Sequence, residues 1–282
     1  MKKHPIAMAV VLFALAACIA VAVLLPSVIL PAIRYKDAMQ LKKTGRYEDA
    51  IAAFEALDGY RDSAEQARAA YEASEIANIR EAKVGDTVVF GAYEQDNDAS
   101  NGKESIKWLV LEKDGGSVLL ISRYALDCQP YHTSYIDMVW EDCSLRAWLN
   151  GTFREQAFSV GEQDCIGNAT VAAEKNPRYP TTPVGNDTED TVFLLSIAEA
   201  ERYFGSESAR QCQPTAYANA QSTYANISTA NGNCLWWLRT QGIRPNAAAF
   251  VDSEGYVSYH GYSVDHTITA IRPALRIDIG KE

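Results

Sequence analysis

The chain has no basic surplus. Its 26 Lys and Arg residues stand against 36 Asp and Glu, for a formal net charge of −10. That balance argues against a nucleic-acid partner, which needs clustered positive charge to meet phosphates. Histidine is scarce as well: His4, His132, His260 and His266 are all there are, and no metalloprotease motif, nucleophile elbow or P-loop occurs. Six cysteines fall at irregular spacing without a CxxC pair. Setting aside Cys18 in an apolar run leaves five, an odd number that fits neither a disulfide framework nor a zinc ribbon. Reduced, buried thiols are the expectation, with one bridge, such as Cys128 to Cys143, left open. No cofactor or metal is implied. Cys128 and His132 lie close in sequence, but no oriented base or oxyanion site accompanies them, so the pair reads as structural.

What the chain does have begins at its N-terminus. Ile6 to Ile33 is a run of 28 residues without a formal charge, longer than the roughly 20 residues that span a bilayer core. A cleaved signal peptide has a shorter apolar region of about 7–15 residues. Leu15-Ala16-Ala17-Cys18 has the form of a lipobox, yet the run continues apolar past Cys18. Residues 1–33 are therefore expected to form an uncleaved transmembrane signal anchor of a single-pass protein. Lys2 and Lys3 favour a cytoplasmic N-terminus, whereas Arg34, Lys36, Lys42, Lys43 and Arg46 pull the other way. The short tail and large C-terminal part place the head outside the cell membrane.

Residues 34–82 repeat small and large apolar residues at helical spacing: Ala38 and Leu41, then Ala50, Ile51, Phe54 and Leu57, then Ala64, Ala67 and Tyr71. Gly45 should end the first helix, and Asp58-Gly59 the second. Residues 83–282 change pattern. "VGDTVVFGAYEQ" alternates like a strand, and "IKWLVLEKDGGSVLLISRYAL" reads as two strands joined at Asp114-Gly115-Gly116. "SLRAWLNGTF" and "IAEAERYFGS" read as helices, the second capped by Ser196. Short strands return in "CLWWLRT", "AAAFVD", "YVSYH" and "AIRPALRI". Strands at both ends with helices between define an α+β head whose termini pair in one sheet.

Two acidic stretches invite a calcium reading. In "EQDNDASNG" the glycine, Gly102, arrives one residue too late for a calcium loop starting at Asp96, so a polar hairpin turn is expected. Asp187, Glu189 and Asp190 could join a metal site or cap the following strand. Trp236 and Trp237 read mainly as core, although the alternation of a strand leaves open that one is buried while the other lines a groove. Asn150, Asn168, Asn186 and Asn226 sit in Asn-x-Ser/Thr tripeptides, which matter only on a glycosylating route.

The stretch Tyr256 to Leu275 contains no Lys, Gln, Met or Trp. On "YVSYH", Tyr256, Ser258 and His260 share one face and Val257 and Tyr259 the other. With Tyr262 and His266, the first group combines aromatic area with small polar donors, the composition of antibody paratopes. Arg244, Asn246 and Phe250 complete the expected ligand-binding set.

Several stretches carry a resemblance. Residues 34–82, with Gly45, Tyr47, "EDAIAAFEAL" and "YRDSAEQA", resemble a tetratricopeptide-type helix pair, too short for a peptide-binding array. "WEDCSLRAWLN", "DTEDTVFLLSIAEAERYF", "NGNCLWWLRT" and "AIRPALRI", among others spanning roughly residues 84 to 279, resemble an uncharacterised bacterial domain family whose heads follow a membrane segment and helical repeats. More loosely, the tail looks like the C-type-lectin-like fold of formylglycine-generating enzymes and of the variable proteins diversified by retroelements. The oxidase class works through a cysteine pair near its C-terminus. Here no cysteine follows Cys234, which puts that activity in doubt. The retroelement likeness implies variable positions lacking Lys, Glu, Gln, Met and Trp. From Gly242 to Ile271 the chain has only Glu254 of those types.

The resulting expectation is a membrane-anchored cell-surface protein that binds a protein or glycan through its head without catalysis. An envelope enzyme acting on carbohydrate or peptide is the alternative, and a purely structural envelope protein a third.

Overall fold

The computed structural model describes residues 28–222, 227–229 and 231–280. Most of the expected anchor, residues 1–33, lies outside these, as does Asn226. Among the described residues no helix is long and apolar enough to cross a membrane.

The chain divides into two compact units, Met1–Ser74 and Glu75–Glu282. The described part of the first is helical. Helix α1 (Leu30–Lys43) ends as Gly45 requires: Gly45, at φ +76°, donates to the Lys42 carbonyl, and Arg46 donates to that of Leu41, the paired bonds of a glycine C-cap. Helix α2 (Tyr47–Glu55) follows. It stops before Asp58 and Gly59, both of which have positive φ. Helix α3 begins at Ser63 and runs to Glu81, beyond the division between the units. Ala38, Ala50, Phe54, Leu57 and Ala67 form this unit's small core, while Tyr71 is exposed.

The second unit is mixed α+β with mainly antiparallel sheets. Strands β1 (Thr87–Tyr93), β2 (Glu104–Asp114) and β3 (Ser117–Ser122) form a meander, the last two joined at Gly115-Gly116 as the pattern predicts. The polar turn after β1 holds Asn97 at φ +65°. After β4 (Asp127–Cys128) come short helices, including α4 (Ser144–Trp148), which continues into a π-helical turn, Leu149–Phe153. The small pair β5 (Ala169–Val171) and β6 (Thr188–Asp190) leads to β7 (Val192–Phe193). Ser196 then caps Ile197–Tyr203 with the reciprocal Glu199 bond of a capping box.

The chain closes through β8 (Trp236–Gln241), β9 (Ala247–Val251), β10 (Val257–Ser263), β11 (Ala270–Ile271) and β12 (Ala274–Asp278). Two five-stranded sheets result, in the orders β1-β2-β3-β12-β7 and β10-β9-β8-β11-β4. The head's first and last strands thus share one sheet, as expected. "AIRPALRI", read as one strand, is instead two: β11 pairs in one sheet and β12 in the other. Pro273 offers no N–H to a ladder, and the chain changes sheets at Arg272-Pro273.

The core reading of the tryptophans holds and the groove alternative does not: Trp236 and Trp237 are both fully buried, because β8 is flanked by β9 and β11 and covered on both faces. The Trp236 indole N–H donates to the Arg210 carbonyl at 3.1 Å and that of Trp237 to Gln129 at 3.0 Å. A buried indole thus keeps its polar atom satisfied.

Candidate ligand-binding surface

Strand β10 is the edge of its sheet and pairs only with β9. None of its residues is fully buried. Its register slips between Ser258 and Tyr262, where Gly261 sits at φ +76°. A Cβ at Gly261 would stand 2.3 Å from the Ala248 carbonyl oxygen, so the bulge requires glycine there. The bulge also breaks the simple alternation read from the sequence and re-aims the side chains that follow it.

Tyr262 is the centre of the surface that results. Its ring stacks on Phe250 at 4.3 Å and 9°, and on His266 at 4.2 Å and 23°. His266 in turn meets the buried Trp237 edge-on at 6.4 Å. A chain of rings thus ties Tyr262 to the core on both of its faces. Phe250 is buried, His266 is half-buried, and Tyr262 remains 39% exposed. His266 bonds Thr269 through Nδ1 at 2.9 Å. Burial lowers its pKa, with Asp265 opposing, so the neutral ring is favoured.

The other expected residues divide between the ends of the β9–β10 hairpin. Asn246 and Arg244 lie on the β8–β9 connection, where the Val264 N–H donates to the Asn246 carbonyl and Ile243 to that of His260. His260 is exposed, and its Nε2 lies 2.7 Å from the Tyr179 hydroxyl. Ser258 pairs across from Phe250. Tyr256 is 56% exposed at the opposite turn, next to Gly255, which packs against the Glu207 carbonyl. Phe250, Tyr262 and His266 are therefore brought together, while Tyr256 stands apart from them. Val264 and Leu275 are fully buried, and Val257 is half-buried.

Three neighbours escaped the sequence reading. Arg178 lies over the Tyr259 ring at 3.9 Å, and the Tyr259 hydroxyl donates to Glu201. The Asn176 amide donates to the carbonyls of Gln241 and Tyr259, both at 2.8 Å. Residues 176–179 thus brace β10 from a distant part of the chain, which no local pattern announces.

The remaining candidates for chemistry are structural or unassigned. All five described cysteines are free thiols, so the Cys128–Cys143 bridge is absent. Burial pushes each of these two thiols up to about 12, and His132 accepts from the Ser144 N–H rather than orienting a nucleophile. Cys212 and Cys234 do interact, with the Cys234 N–H donating to the Cys212 carbonyl at 2.9 Å. Burial opposes ionisation of Cys212, but the Cys234 thiol and the Arg272 charge outweigh it and lower the group below the ordinary thiol range. Asp190 is buried and accepts from Arg146, Trp140 and Thr188. Glu94, Asp96 and Glu104 bring carboxylate oxygens within 4.8 Å of one another at the β1–β2 turn, where acidic groups are commonly just solvated.

The second unit is thus an α+β head whose edge strand carries stacked, partly exposed aromatics. A family model described as "Domain of unknown function (DUF6273)" matches residues 115–279. That is more than half of the chain, and the chain belongs to this family. The match runs from the β2–β3 turn past β12, so it contains the whole candidate surface. No curated protein and no solved structure matches the chain.

Proposed function

We propose that the head is a recognition domain that binds a protein or glycan without transforming it, and that the apolar N-terminal run holds it at the outer face of a cell membrane. The observation that carries the proposal is the ring stack from Trp237 through His266 and Tyr262 to Phe250. Aromatic anchors supply contact area at low entropic cost, and here the anchor is held in place before any partner arrives. The C-type-lectin-like likeness belongs to the same proposal. Its Trp-Leu-Arg strand, β8, and the strand leading into Arg-Pro, β11, are parallel neighbours in the sheet that carries the surface. The tetratricopeptide-like reading of the first unit is supported by its helix pair and the Gly45 cap.

The test is a screen of the full chain in detergent or nanodiscs against glycan and peptide arrays, with products assayed in parallel. Saturable binding without turnover is expected, weakened at least tenfold by Tyr262→Ser. Turnover of a bound carbohydrate or peptide would replace this reading with the enzymatic one. For the anchor, full-length chain should partition with membranes, and recovery of uncleaved chain in the soluble fraction would overturn it.

A further inference from the structure

Arg272 occupies the crossing between β11 and β12, and its side chain is withdrawn from solvent: the residue is 2% exposed. Its guanidinium lies over the rings of Phe204 and Trp236, each centroid 5.1 Å away. Nε donates to the Ser122 carbonyl at 2.9 Å and Nη1 to the Arg210 carbonyl at 3.4 Å. A guanidinium has five N–H donors in a planar fork. These two bonds leave three, all at the Nη1–Nη2 end. Among the described residues no Asp or Glu forms an ion pair with Arg272. A buried charge ordinarily has a counter-charge or a full set of hydrogen bonds.

The same side chain lines a cavity of about 350 Å³, within the size range of small-molecule sites. Arg123 lines it too, exposed and without an acidic partner among the described residues. Gln211, Gln213 and Asn233 add amide groups, and no acidic side chain lines the cavity. In a protein of net charge −10, a cavity with two arginines and no carboxylate is a departure from the average surface. Burial disfavours the Arg272 charge, the sulfurs of Cys212 and Cys234 partly offset this, and the like charge of Arg123 adds to the cost. Both arginines would gain from one negative group placed between them.

We propose that this cavity binds a small organic anion bearing a carboxylate or phosphate, received by the free end of the Arg272 fork and by Arg123, with Gln211, Gln213 and Asn233 meeting its neutral polar atoms. The fork geometry suits a planar carboxylate or a phosphate face, both of which accept two parallel N–H bonds. None of these side chains belongs to the stack on β10, so the site holds or fails independently of the recognition surface. The cysteine pair behind Arg272 gives the guanidinium a polarisable neighbour but no room for a ligand, since both cysteines are buried.

The experiment is calorimetric titration of the full chain, at chloride-matched ionic strength, with inorganic phosphate, glycerol 3-phosphate, acetate, succinate and glutamate. Saturable heat with at least one probe is expected, and the preferred member of the series separates phosphate from carboxylate recognition. Arg123→Gln, on an exposed residue, should keep the melting temperature and weaken binding by about tenfold or more, the loss typical of one charge-assisted contact. Arg272→Lys keeps a charge and removes the fork, and should bind more weakly still. If that variant fails to fold, Arg123→Gln together with Gln213→Ala decides the matter alone. Flat titrations across the whole series, or unchanged affinity in Arg123→Gln, would overturn the proposal.

Discussion

Strands β8 and β10 lie two places apart in one sheet, and both are rich in aromatic or polar residues, yet they meet opposite fates. All six residues of β8 are buried, including Arg239, Thr240 and Gln241. Every residue of β10 keeps some exposure, including Tyr259 and Tyr262. The difference comes from position rather than composition. A strand with neighbours on both edges and layers on both faces must bury whatever it carries, and satisfy it. Arg239 does so by donating to the Leu194 carbonyl and to Glu199. An edge strand can leave polar tips in water and is free to bulge. The central strand therefore supplies stability, and the edge strand is available for contact.

The largest expected effect is at the centre. Trp237→Ala should cost about 3–5 kcal/mol of head stability, through lost transfer energy and a cavity, read as a shift in denaturation midpoint. An unchanged midpoint would remove the distinction between the two strands. Next is Gly261→Ala, expected to cost about 1–3 kcal/mol because a Cβ meets the Ala248 carbonyl at positive φ. A silent substitution there would mean that the bulge is not fixed. Tyr262→Ser should fall between core and surface, at about 1–2 kcal/mol, since it breaks two ring stacks on a partly exposed side chain. A cost comparable to that of Trp237→Ala would make Tyr262 a core residue and leave little of the proposed surface. Tyr256→Ser, at the open turn, should change stability by no more than about 0.5 kcal/mol, while a loss of binding would extend the surface to that end.

The smallest effect is in pH. The folded head holds the His266 pKa below its ordinary 6.5, so the unfolded chain takes up a proton first as pH falls. Stability from this group is complete above about pH 6.5 and declines as pH drops through the folded value. His266→Gln should flatten that part of the stability–pH curve. An unaltered slope would detach His266 from the stack's energetics.

Much of the chain's local architecture was legible because it depends on local chemistry. The alternation from Thr87, the Gly115-Gly116 turn, the Ser196 cap and the Gly45 stop each need only neighbouring residues to act. What could not be read depends on remote parts of the chain. Trp236 and Trp237 share a fate because layers distant in sequence cover both faces of β8. Pro273 divides a strand whose two halves find partners in different sheets. At the candidate surface, the enrichment in Tyr and His was visible, but Gly261 re-aims the strand, so residues assigned to one face by alternation end at opposite ends of a hairpin. The brace from residues 176–179, the Cys212–Cys234 contact and the burial of Arg272 beside them exist only once the fold closes.

The placement of β12 bears on how the head is made. The strand lies between β3 and β7, and its Leu275 pairs with Leu120 on one side and Val192 on the other. Until β12 leaves the ribosome, both of those neighbours present unpaired edges, and the sheet cannot close. Pairings this far apart in sequence form slowly, because a long loop must be ordered before any contact rewards it. The chain thus carries a built-in delay: β3 and β7 remain open to pairing with other chains while the segment between them and β12 is made, and translation must pass β12 before the head can exclude them.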